Sequence, residues 1–148
     1  MASTTFSGPV TSTNGFIGAL TGNIAGTGRI THTPTAINAT ATATAAQVAT
    51  GYITSTSVGT VSITLPTGTL LGAALGATQG TVFDLYIDNT AGASVVTIVV
   101  AVNGILSTAA ADTPGSCGDL TVAVGATGLA RFTLMFSSAT AYAFTRTA

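Results

Sequence analysis

Within the stretch Gln79–Gly104, residues 83–88 alternate with a period of two. Phe83, Leu85 and Ile87 are apolar, and Asp84, Tyr86 and Asp88 between them are polar. That period places one set on each face of a β-strand. Asn89-Thr-Ala-Gly-Ala93 follows, rich in residues that tolerate turn geometry. Val95 to Val102 is then β-branched almost throughout, and Asn103-Gly104 is a second turn signal. The stretch predicts a β-hairpin whose second strand is buried on both faces, at the centre of an all-β domain. No part of it has the pattern of an active site.

Short β-prone segments recur on either side. Tyr52–Thr56 and Thr60–Leu65 are joined by Ser57-Val58-Gly59. Leu120–Val124 precedes a Gly125-Ala-Thr-Gly128 turn, and Leu129–Phe136 sets Phe132, Leu134 and Phe136 on one face. Thr140–Arg146 alternates Tyr142 and Phe144 with Ala141, Ala143 and Thr145. One helical turn is predicted at residues 44–49, with Thr44 as N-cap and Gly51 near its end. A short helix is predicted over Thr67–Ala77, where Leu70, Leu71, Ala74 and Leu75 fall at helical spacing. Its glycines each cost about 1 kcal/mol relative to Ala, so packing must hold it. The expected fold is all-β: an antiparallel β-sandwich or small jelly-roll-like barrel, with one short helix across an opening. Residues 45–148 form that domain. Residues 1–44, rich in Thr, Ala, Gly and Ser and including the strict alternation Thr40–Ala45, are expected as an extended N-terminal arm with short strands.

Charge narrows the function classes. Only 5% of the 148 residues are charged, against about 25% in ordinary soluble proteins. There is no Lys and no Glu; the charges are Arg29, Arg131, Arg146, Asp84, Asp88, Asp112 and Asp119. Nucleic-acid binding would need clustered cations. A membrane helix would need about 20 consecutive apolar residues, and a membrane barrel would carry aromatic girdles, whereas this chain has no Trp and 6% aromatics. A neutral, hydroxyl-rich surface suits a subunit that hides much of itself in an assembly. The N-terminus has neither the basic nor the apolar region of a secretory signal, so assembly in a cytoplasm is expected.

Individual residues offer little chemistry. His32 is the sole histidine and falls in the predicted arm, where no rigid scaffold is expected to position it. Cys117, also alone, sits in Gly115-Ser-Cys-Gly118 and would need a nearby cation to become a nucleophile. Asp84 and Asp88 share a strand face but lie about 13 Å apart, too far to ligate one ion together. Asp88 with a loop carbonyl is a candidate Ca²⁺ ligand; solvation or pairing with Arg131 is the competing expectation, for Asp112 and Asp119 as well. No phosphate-binding loop, dinucleotide fingerprint or zinc spacing occurs, and no cofactor is expected. Asn38-Ala-Thr40 fits a glycosylation sequon, which matters only in a secreted chain. The Thr-Ala alternation also resembles the threonine faces of ice-binding proteins, without their fixed repeat.

Several stretches together resemble small virion proteins of tailed bacteriophages. They are Phe6-Ser-Gly-Pro-Val-Thr-Ser-Thr-Asn-Gly-Phe-Ile17, Thr44-Ala-Ala-Gln-Val-Ala-Thr-Gly-Tyr-Ile53, Ile63-Thr-Leu-Pro66, Phe83-Asp-Leu-Tyr-Ile-Asp-Asn-Thr90 and Val95–Gly104. Proteins of that group decorate or cement capsids, or form head fibres. The resemblance implies a non-enzymatic homotrimer on the capsid exterior, bound to the major capsid protein, with the arm reaching along the shell. Phe6, Val10, Phe16 and Ile17 are then the expected apolar contacts to capsid or neighbouring subunit. A tail or fibre component with a host-binding surface is the alternative, and a stand-alone binding or ice-binding protein a third.

Overall fold

A computed structural model describes residues 31–106 and 119–147. Phe6, Val10, Phe16, Ile17, Arg29, Asp112 and Cys117 lie outside the described residues. The described chain is mostly β and forms two sheets. Its strands are β1 (Thr35–Ala36), β2 (Ala41–Thr42), β3 (Tyr52–Thr54), β4 (Val61–Thr64), β5 (Val82–Asp88), β6 (Val96–Val99), β7 (Gly104–Leu106), β8 (Thr121–Val122), β9 (Leu129–Ser138) and β10 (Ala141–Arg146). The larger sheet has the order β1-β3-β5-β9-β10-β7, and the smaller β2-β4-β6-β8.

The chain crosses from one sheet to the other at each step from β1 to β6. As a result β1, β3 and β5 lie parallel in the large sheet, and β2, β4 and β6 lie parallel in the small one. Antiparallel pairing enters later, where β9 pairs with β5 and β10, and β8 with β6. The expected antiparallel arrangement is therefore corrected to a mixed one. So is the central hairpin, because β5 and β6 belong to different sheets. Residues 89–95 are a crossover, stapled by the buried Asn89. Its side-chain amide donates to the carbonyls of Ser94 (2.9 Å), Val122 (3.2 Å) and Ala123 (2.9 Å). Nor is β6 buried on both faces: Val96 and Ile98 are buried, while Val95 and Val99 are exposed. A β-branched run favours a strand but does not say how many of its faces are covered.

One core joins the sheets. Ile53, Leu85, Ile87, Phe132, Leu134, Phe136, Tyr142 and Phe144 of the large sheet cluster with Val61, Ile63, Val96, Ile98 and Val122 of the small one. Phe132 stacks on Phe144 at 4.9 Å between centroids. Arg146 of β10 reaches Asp119 (3.0 Å) and the Thr121 carbonyl (2.7 Å), an ion pair between the sheets that is largely buried. Residues 35–42, within the segment the sequence assigns to the arm, supply β1 and β2, and Ile37 and Ala43 join the core.

The predicted helical turn is α1 (Ala45–Ala49). Thr44 and Gln47 form a reciprocal capping box, the Thr44 hydroxyl accepting from Gln47 N–H and the Gln47 amide oxygen from Thr44 N–H. The predicted helix is α2 (Gly68–Leu75), capped by Thr67 and ended by Gly76 at φ 58°. Its apolar residues do not share one face: Leu71 is buried and Leu75 half-buried, while Leu70 and Ala74 are exposed. Gly68 at the start of the helix and Gly72 within it permit close contact with the turn between β9 and β10. A Cβ on Gly72 would stand 1.9 Å from the Ala139 carbonyl oxygen, and one on Gly68 2.2 Å from that of Thr140.

Candidate functional site

Three of the charged side chains lie on the outer face of the large sheet. Strand register sets Tyr52, Tyr86 and Arg131 across β3, β5 and β9, with Asp84 opposite Thr133 and Asp88 opposite Leu129. Asp84 accepts from the Thr133 hydroxyl at 2.6 Å. Asp88 accepts from the Tyr52 hydroxyl and, through its other oxygen, from the Thr90 backbone (2.9 Å) and hydroxyl (2.6 Å). The Thr90 hydroxyl, then Tyr52, then the Thr90 N–H hold the Asp88 carboxyl below its ordinary range, against a smaller effect of burial. The same hydrogen bond to Asp88, then burial and the carboxylate charge, raise the Tyr52 phenol.

His32 is placed on this face as well. Its Nδ1 lies 3.0 Å from the Thr50 carbonyl and its ring 5.7 Å from that of Tyr86. A carbonyl only accepts, so in this contact Nδ1 donates to Thr50. The expectation that no scaffold positions His32 is therefore corrected: Thr50 at the end of α1 and Tyr86 of β5 contact it. Arg131 does not pair with either aspartate; its Nε donates to the Thr147 hydroxyl at 3.0 Å. Asp119 pairs with Arg146 instead. Among the described residues no group of three or more His, Cys, Asp or Glu is placed to hold a metal ion. The Asp88 oxygen facing the loop accepts both hydrogen bonds from Thr90.

The second feature is a groove of about 600 Å³ at the end of the small sheet, between the first turns of α1 and α2. Ala43, Ala45, Leu65, Pro66, Leu70 and Ala101 line it, with threonines between them. Leu70 is 60% exposed. Val99, in register with Thr64 of the lining, is 40% exposed, and Val102, whose carbonyl accepts from Gly68 N–H, is 73% exposed. Sequence periodicity counted Leu70 with the core and so missed this rim. The hint was Leu70 and Leu71 standing side by side, about 100° apart around a helix, so that a narrow buried stripe covers only one of them.

Together these features define a mostly β, two-sheet domain with a preorganised polar face and a neutral apolar groove. No protein-family model, curated protein or solved structure matches the chain.

Proposed function

We propose that this protein is a structural subunit of a bacteriophage virion. It binds the outside of the capsid as a decoration or cement protein, assembled as a homotrimer in the host cytoplasm. Its domain is read as a mixed-sheet β-sandwich, and the residues before Thr31 as the segment reaching over the major capsid protein, with Phe6, Val10, Phe16 and Ile17 as contacts. One observation carries the reading. Among the described residues only Asp84, Asp88, Arg131 and the mutually paired Asp119 and Arg146 bear charge, while nine large apolar side chains are exposed. Such a surface gains by being covered in a lattice, where burying it strands few charges. The sequence resemblance to phage head proteins supplies the kind of lattice.

The test is co-sedimentation with undecorated shells. The full chain is expected to pellet with shells, and a chain lacking residues 1–20 to stay soluble and folded but not to pellet. Equal pelleting of both removes the docking role from the N-terminal segment; no pelleting of either overturns the capsid reading. The His32, Tyr52 and Tyr86 face favours a second reading, a tail or fibre component contacting the host. Immunogold labelling of virions on the tail rather than the head would select it.

A further inference from the structure

We infer that the groove between α1 and α2 is the self-association surface, and that its occupant is the rim of a second copy of this chain. The inference deepens the homotrimer part of the reading above and rests on it for the choice of a like partner.

Electrostatics supports that choice. No charged residue occurs between Arg29 and Asp84, so β2, α1, β4 and α2, which build most of the groove, carry none. The wall contributed after β6, at Ala101, lies in a segment without charge from Val95 to Asn103. A partner with an ordinary charged surface would lose hydration here and find no counter-charge. Complementarity thus requires a neutral partner surface, and the chain itself supplies one: the rim beside its own groove.

Shape points the same way. Leu70 lines the groove and is 60% exposed; exposed Val99 is in register with Thr64 of the lining, and exposed Val102 follows Ala101 of it. The same surface therefore offers a knob and a recess next to each other. Around a symmetry axis, the knob of each copy faces the recess of the next. Contiguous apolar rims of this kind are the usual mark of a protein–protein contact. The capping threonines strengthen the geometry. Thr44 and Thr67 turn their hydroxyls onto the N–H groups of Gln47 and Leu70, so those helix-end donors are already satisfied when water is excluded.

The experiment is sedimentation velocity on the full chain across a dilution series, with the variants Leu70→Asp, Val102→Asp and Val58→Asp. Val58 is 86% exposed but lies before β4, at the opposite end of that strand from the groove. All three positions are outside the core, and circular dichroism verifies the fold of each variant. The milder Leu70→Ser covers any failure of Leu70→Asp to fold. The unmodified chain and Val58→Asp are expected to assemble, with dissociation constants agreeing within about threefold. Leu70→Asp and Val102→Asp are expected to weaken assembly at least tenfold. A monomer at every concentration overturns the inference, as does equal assembly of all variants. A monomer that still binds undecorated shells would overturn this inference alone, whereas an assembled protein that ignores shells would overturn only the capsid reading.

Discussion

Replacing Gly72 by Ala sets local propensity against tertiary packing. In the interior of a helix, Ala is favoured over Gly by about 1 kcal/mol, so α2 considered alone predicts stabilisation. Packing predicts the reverse. The new Cβ would stand 1.9 Å from the Ala139 carbonyl oxygen and 3.4 Å from the Phe136 ring. The nearer obstacle is the backbone of the β9–β10 turn, which no rotamer change can clear. Overpacking a well-filled site costs about 1–3 kcal/mol, and an immovable backbone neighbour argues for the upper end. The expected net effect is a loss of about 2 kcal/mol, or about 8 °C in Tm for a domain of this size. The assay is thermal and urea unfolding followed by circular dichroism, with Ala73→Gly as the calibrating variant. Ala73 is exposed on the same helix and should lose about 1 kcal/mol from propensity alone. If Gly72→Ala raises Tm while Ala73→Gly lowers it, α2 is not seated on the β9–β10 turn and the packing argument fails.

Two further predictions concern the polar contacts. Asn89→Ala removes the donor that three carbonyls share at the crossover; a loss of about 2–4 kcal/mol in urea unfolding is expected, and a change below about 0.5 kcal/mol would mean that those carbonyls find other donors. Asp88 should give stability an acid dependence. Its folded pKa lies below its ordinary value of 3.8, so its contribution is present above that value and is lost as pH falls through the lower folded one. Urea midpoints measured from about pH 6 down to about pH 2 should fall for the unmodified chain and fall less for Thr90→Val, which removes the largest cause of the shift; identical acid limbs would show that Thr90 does not hold the carboxylate.

Much of the candidate site was legible only as faces. Alternation in β5 correctly put Asp84, Tyr86 and Asp88 on one side and Leu85 and Ile87 on the other. It could not show that Tyr52, from 36 residues earlier, would donate to Asp88, or that His32 would lie against Tyr86. Those contacts depend on parallel register between strands distant in sequence. The groove was less legible still, because its walls come from α1, α2 and the ends of β2 and β4. None of these segments has a pattern that points to a shared recess.

By itself the sequence determined what is local. The capping box at Thr44 and Gln47, the left-handed stop at Gly76 and the Asn103 turn at φ 64° follow from side chains acting on their own neighbouring backbone. The period-two strands β5 and β9 follow from side-chain alternation in the same way. Tertiary structure alone decided which strands are neighbours. A hairpin and a sheet-to-sheet crossover can begin with the same Asn and Gly turn residues. Here Asn89 uses its side chain, buried against β8, to hold a crossover. The difference lies in what packs on the segment from the far end of the chain, and strand propensity carries no information about that.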